Sequence, residues 1–335
     1  MPIVSIGDMS QHFLSLRNGG AIKSDLARLG QELATGQNTD LAATLGGDTR
    51  QLSGINHSLA VANAFQTAAQ DASLTLKHMQ LGLNRIDVSR GNAVNSLLAI
   101  SSQSQSSQMK EAALTARGGF DDIVSALNGK IAGRSLFSGA ATGSAAVAPA
   151  KEMFDAIKVA VSGAATVADL KQGIEQWFND PAGGFATMGY LGDGDAPIQR
   201  QISETTEITL SAKANDKAVV ALLQATATAA LAVDPDFGLS QIDQAKLQND
   251  AGLALLTGAS DLTELQTGLG VAQNAVDQTQ TRLASEATAL GMVQNDLMRA
   301  DPFETATRLQ ALQVQLETHF TVTSRLSRLS LAEYI

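Results

Sequence analysis

From Leu262 to Leu297 the chain steps by three and four residues in alternation: Leu262, Leu265, Leu269, Ala272, Val276, Thr279, Leu283, Glu286, Leu290, Val293, Leu297. A repeat averaging about 3.5 residues keeps all these positions on one narrow side of an α-helix. No strand reads this way, and a seam this long needs a helical partner of similar length. The sequence offers one. Leu52, Ile55, Leu59, Ala62, Ala69, Leu76 and Leu83 fall on a heptad grid, with Phe65, Ala72, Met79 and Ile86 recurring every seven residues beside it. The two stripes, 52–86 and 262–297, are expected to bury against each other. A third helical pattern runs through Met109, Ala113, Ala116, Phe120, Ile123 and Leu127.

The ends of the chain carry stripes of their own. Leu16, Ile22, Leu26, Leu29 and Leu33 precede "ATGQNTD", where Gly36 suits the left-handed position after a helix. Leu309, Leu312, Leu316 and Phe320 step 3, 4, 4, and Leu326 and Leu329 continue the pattern. Before them, "ADPFETATRL" reads as a helix start, with Asp301 as cap, Pro302 in the first turn and Glu304 three residues after the cap. A pair of helices buries only one narrow seam, so this terminal pair needs neighbours, most simply other copies of itself. In the isolated chain the two ends, about residues 1–40 and 300–335, are expected to lack order.

The stretch between the flanks has another chemistry. Pro149, Pro181, Pro197 and Pro235 lie there, as do Phe154, Trp177, Phe178, Phe185, Tyr190 and Phe237. "IAGRSLFSGAATGSAA" breaks the helical pattern with small residues. "EITLSAK" alternates Ile208, Leu210 and Ala212 with polar positions, as a half-buried strand does. "DLKQGIEQWFND" and "DKAVVALLQATATAALAV" read as helices. The fold class is therefore mainly α: nested terminal helices forming long coiled-coil or helical-bundle domains, with an inserted smaller α+β domain. The expected division is 1–40 with 300–335, 41–139 with 246–299, and 140–245 as the insert.

Composition excludes several classes of function. A net charge of −10 disfavours nucleic acid and anionic membrane as partners. The absence of cysteine removes disulfides, thiolate catalysis and cysteine-bound zinc. No apolar run is long enough to insert in a membrane. "MPIVSIGDMSQHF" has neither an early basic residue nor an apolar core, so no cleaved secretory signal is expected. Fragments that could suggest catalysis are isolated. His12, His57, His78 and His319 show no metal-binding spacing. Ser107 and Lys110 form a serine-hydrolase fragment without companions. "DPDFG" from Asp234 lacks the glycine and glutamate of a calcium loop and reads as a turn. "GLG" at 268–270 lies inside the heptad run. Catalytic, metal and cofactor sites are thus expected to be absent.

Several segments resemble the bacterial flagellin superfamily, and within it the subunits of the hook–filament junction. "ADPFETATRLQALQVQLETHFTVTSRLSRLSLAEYI" is similar to their C-terminus, down to the "LS-L-x-x-Y" ending. "GRSLFSG" resembles a motif at the entry to the inserted domain, with Ser135 where an aromatic residue is usual. "YLGDGDAPIQRQISETTEITLSAK" resembles the start of that domain. "QELATGQNTD" resembles the exit from the first helix, whereas "LAATLGGD" departs from the usual proline-and-aspartate pattern. The resemblance implies a structural subunit of the extracellular flagellum that polymerises through Leu16, Ile22, Leu26, Leu29, Leu33, Leu309, Leu312, Leu316, Phe320, Leu326 and Leu329. It implies as partners copies of itself, hook-associated protein 1, flagellin, a flagellar export chaperone and the type III export apparatus. Alternatives are flagellin itself and an enzyme with a site in 140–245.

Overall fold

The computed structural model describes residues 6–194 and 196–332, with side chains described over 9–10, 13–194 and 196–325. Nearly all of it is helix. In chain order the helices are α1 (Ile6–Thr35), α2 (Leu41–Thr44), α3 (Arg50–Leu98), α4 (Ser106–Leu127), α5 (Ala150–Ala160), α6 (Val167–Asn179), α7 (Lys217–Leu231), α8 (Gln241–Met298) and α9 (Pro302–Ala332). Two antiparallel hairpins complete it. β1 (Lys130–Ile131) pairs with β2 (Arg134–Ser135), and β3 (Ile198–Gln201) with β4 (Glu207–Leu210). The sheet residues are few, so the mainly α class with a small α+β insert holds.

Contacts divide the chain into a terminal unit, Met1–Asn63 with Ser285–Ile335, and a central unit, Ala64–Ala284.

The central unit has a closed core. Ala69, Leu76, Met79, Leu83 and Ile86 of α3 and Leu262, Leu269 and Val276 of α8 belong to one buried cluster. Phe120, Ile123 and Leu127 of α4 and Leu222, Leu223 and Ala227 of α7 join it. Close approach is possible where a side chain is missing. A methyl on Gly252 would stand 3.0 Å from Leu97 and Leu98, so α8 meets α3 through bare backbone. Polar groups in this interior are tied to backbone: Arg90 Nη1 donates to Leu255 O at 3.2 Å and Gln248 Nε2 to Met109 O at 2.8 Å.

The insert is attached by similar means. Asn128, just past α4, donates to Val147 O at 2.9 Å and accepts from Val147 N at 3.0 Å. β4 reads exposed, buried, exposed, buried, with Ile208 and Leu210 inward as their alternation requires. Thr166 and Asp169 form a capping box on α6. Phe185 stacks near Trp177 and Phe178 in an aromatic cluster with ring centroids 4.7–6.2 Å apart. Gly139 turns the chain at φ 61°, and a Cβ there would sit 2.5 Å from Asp193 O. The side chain of Ser135, where the resembling subunits carry an aromatic residue, is 2% exposed.

The terminal unit is built on α1 and α9, which pack against each other. Both ends of the chain are therefore ordered helices within the described residues, contrary to the expectation from the sequence. The burial that accompanies them is small. Among the described residues, the buried apolar side chains of this unit are Ile22, Leu29, Leu52, Ala62 and Ala300. The expected mutual burial of the 52–86 and 262–297 stripes needs the same correction. It holds over 69–86 and 262–283. In the terminal unit, however, Ile55, Leu59, Leu290 and Leu297 are half-buried, Glu286 is exposed and Val293 is 44% exposed. The heptad pattern continues past the point where its positions are fully covered among the described residues.

Candidate assembly interface

The terminal unit is held in register by a clasp at the two helix breaks. α1 ends at Thr35, and Gly36 takes φ 70°, the left-handed conformation its position predicts. Beyond it, Gln37 bridges to Arg299 in antiparallel fashion. Asn38 N donates to Met298 O at 2.8 Å, Asn38 Nδ2 to Arg299 O at 2.8 Å, and Ala300 N to Gly36 O at 2.9 Å. The exits of α1 and α8 thus share one short ladder.

Glu32 locks the same corner from inside. It is 4% exposed, and its Oε1 accepts from Thr39 N (3.0 Å), Thr39 Oγ1 (2.7 Å) and Arg28 Nη1 (3.1 Å). Burial pushes its pKa upward. The Thr39 hydrogen bonds and Arg28 outweigh that and hold the carboxyl below its ordinary value. Across the break Asp301 caps α9, accepting from Phe303 N at 2.8 Å and Glu304 N at 3.2 Å. Glu304 pairs with Arg308 at 2.6 Å, so the capping box suggested by the sequence is realised in its aspartate half.

On this frame the sequence-predicted interface residues separate into three groups. Ile22 and Leu29 are buried in the α1–α9 seam. Leu26, Leu309, Leu312 and Leu316 are half-buried along it. Leu16, Leu33 and Phe320 are exposed, at 63%, 42% and 52%. The side chains of Leu326 and Leu329 lie outside the described residues, although their backbone continues α9.

Further exposed apolar side chains lie off that seam. Phe13 and Phe303 are 72% and 83% exposed, and Leu14 and Val314 are also open to solvent. Phe303 and Val314 are 11 residues apart, three helical turns, so they share a side of α9 that differs from the Leu309–Leu312–Leu316 seam. That spacing was available in the sequence. The stronger leucine pattern of the seam, Leu309, Leu312 and Leu316, interleaves with them and dominates the sequence.

Several titratable groups elsewhere are engaged in structural contacts. Asp234 and Asp236, the carboxylates of the calcium-loop fragment, both hold Lys158, at 2.8 and 2.7 Å, and raise its pKa. Burial pushes the Tyr190 hydroxyl up to about 12, and that hydroxyl donates to Asp193 O. Asp216 is raised by its own burial while accepting from Lys213 N. Ser107 and Lys110 are exposed on the first turn of α4. No group of three or more metal-binding side chains occurs among the described residues, and no helix among them is long and apolar enough to cross a membrane.

Residues 253–335 match the model of the bacterial flagellin C-terminal helical region. The C-terminal part of the chain is thus similar to that of the flagellins. The flagellin-like region takes in the C-terminal part of α8, the clasp and all of α9, which is the strand of chain that carries half of the terminal unit. The fold is also similar to a solved structure provisionally designated a flagellar hook-associated protein from Vibrio parahaemolyticus, with 15% sequence identity and a TM-score of 0.47. That match covers 74% of this chain and 96% of the other. No curated protein sequence matches the chain.

Proposed function

We propose that this chain is a non-enzymatic subunit of the flagellum that polymerises with copies of itself through α1 and α9. One observation carries the reading: the terminal unit exposes large apolar side chains, among them Phe13, Leu16, Phe303 and Phe320, within and next to a flagellin-type C-terminal region. Burying each such side chain is worth about 1.5–3 kcal/mol. A face of this kind on a folded chain marks a surface to be covered.

Within that reading the chain serves at the hook–filament junction, as a subunit of the hook-associated protein 3 type. It stands between hook-associated protein 1 and flagellin, and reaches the extracellular flagellum through the type III export apparatus with a dedicated chaperone. The closing "RLSLAEYI", which resembles junction subunits, favours this place over that of a filament flagellin. The assembling part is 1–40 with 300–335, the supporting helices are 41–139 with 246–299, and the insert 140–245 covers the outside.

Leu316→Asp tests it. Leu316 sits mid-seam and half-buried, so a carboxylate there meets an apolar surface once subunits pack and costs several kcal/mol per copy, of order 2–7. The expected phenotype is a secreted, soluble chain, an unchanged central unit, and cells that shed flagellin instead of growing filaments. A normal filament count would overturn the proposal.

A further inference from the structure

The outer side of the central unit carries a pattern of its own. On α3, Leu74, Leu81 and Val88 recur every seven residues and are 49%, 61% and 65% exposed. Each step of seven turns an α-helix by only about 20° from a full repeat, so the three lie nearly in one line. That line is on the side opposite the seam of Leu76, Met79, Leu83 and Ile86, each 0% exposed. The solvent side of a packed helix is ordinarily polar. One exposed leucine there would need no explanation, but three in register form a stripe. α8 has a counterpart. Leu256, Ser260, Glu264, Thr267 and Val271 step by four, four, three and four, and all are exposed. They too lie opposite their helix's buried positions, Leu262, Leu269 and Val276.

The two stripes differ in charge. From Ala72 to Ile86 the chain holds Lys77, His78 and Arg85 and no carboxylate. Arg85 shares an exposed ion pair with Asp122 at 3.2 Å, while Lys77 is exposed beside Leu74 and Leu81. From Leu247 to Thr281 the chain holds Asp250, Asp261, Glu264 and Asp277 and no lysine or arginine. Lys171 pairs with Asp250, and the other three carboxylates are exposed, Glu264 within the stripe and Asp261 and Asp277 beside it. An apolar line with a cation thus has its complement in an apolar line with carboxylates. The two cannot meet within one chain. α3 and α8 run antiparallel, Arg90 reaching Leu255 and Leu97 lying against Gly252, and they share one core, from which both stripes face away. We infer that the α3 stripe of one copy docks on the α8 stripe of a second copy of this chain. Pairing α3 with α3 would set Lys77 against Lys77, and pairing α8 with α8 would set carboxylate against carboxylate. Because the two faces differ, the contact is heterologous: a copy engaged on one face still offers the other, as a ring or an open helical array requires. The inference goes beyond the terminal-helix reading and does not rest on it, since no residue of α1 or α9 takes part.

The chain has no cysteine, so single thiols report the contact without background. Leu74→Cys, Leu81→Cys and Val88→Cys mark the α3 face, and Thr267→Cys and Val271→Cys the α8 face, each in the full chain. All five sites are exposed, and circular dichroism confirms that the variants keep their helicity. Each α3 variant is mixed in equal amounts with each α8 variant, concentrated, and treated with a short bismaleimide. The expected result is a covalent dimer containing one chain of each kind, with no dimer from any variant alone. Adding Lys77→Glu to the α3 partner should lower the dimer yield by about tenfold, the scale of an interfacial charge reversal. Adding Glu264→Lys to the α8 partner of that same mixture should restore it. No mixed dimer in any pairing would overturn the inference. So would dimers from the α3 variants alone, which would mean that this face meets itself, or a yield indifferent to Lys77→Glu. The outcome is separate from that of Leu316→Asp: a mixed dimer with normal filaments in Leu316→Asp would fell the terminal-helix reading alone, and the reverse pair of results would fell this one alone.

Discussion

The central and terminal units are made from the same two long helices and the same heptad grid, yet they finish differently. Phe120, Leu83 and Leu269 lie in one buried cluster fed by α3, α4, α7 and α8, and each of the three is 0% exposed. In the terminal unit α1 and α9 meet the same kind of pattern with one neighbour each. The result is a seam with two fully buried large residues, Ile22 and Leu29, and aromatic rings left in water. Periodicity is thus a statement about demand for partners. How many of those partners belong to the same chain is decided by topology, and here α4, α7 and the insert serve one end only.

Substitutions can break this contrast, and the largest effect is expected in the closed core. Phe120→Ala removes a ring that is fully buried, edge-on to Phe154 with centroids 5.8 Å apart. It should lower the stability of the central unit by about 3–5 kcal/mol, read by chemical denaturation. If Leu29→Ala costs as much in the same transition, the terminal unit is not the weaker body claimed here.

A smaller effect is expected at the clasp. Glu32→Gln replaces a buried carboxylate that accepts three hydrogen bonds, and should destabilise the α1 corner by about 1.5–3 kcal/mol at neutral pH. The sign with pH follows from the lowered pKa of Glu32. Its contribution is complete above the unfolded glutamate value, about 4.3, and is lost as pH falls through the lower folded value. The gap between parent and variant should therefore close in acid. Amide exchange at Thr39 and Ala300 measures it, and a gap that widened below pH 4 would refute the assignment (roughly the range where the free carboxyl titrates).

The smallest effect on the isolated chain should come from the exposed face. Phe13→Asp and Val159→Asp both alter side chains over 70% exposed, 72% and 73%, and each should change stability by no more than about 0.5 kcal/mol. They part company on assembly. Phe13→Asp should block polymerisation, whereas Val159→Asp, in the insert, should leave it intact. Equal behaviour of the two in a pelleting assay would erase the distinction between the surfaces.

Much of this was legible from spacing. The helices, the glycine stop at Gly36, the Asp301 cap, the alternation of β4 and the core positions of α3 and α8 all follow from local chemistry. What was not legible depends on which neighbours a stripe finds. Leu290 and Val293 fit the heptad as well as Leu269 does, but Leu290 is only half-buried and Val293 is 44% exposed, against 0% for Leu269. Glu32 gave no signal as an exposed-looking glutamate in a helix, because its partners Thr39 and Arg28 converge only after the chain turns. His319 appeared to be a surface or seam histidine. Its neighbour Ser15, with Oγ 3.3 Å from the imidazole Nε2, comes from the opposite end of the chain.

The central claim, that the terminal unit is a core completed by other copies, is most directly tested by amide hydrogen exchange on the same chain before and after assembly. Weak protection over α1 and α9 is expected in the monomer, strong protection there in the polymer, and unchanged protection over α4 and α7. Protection of α1 and α9 in a proven monomer equal to that of α4, with no gain on assembly, would contradict it.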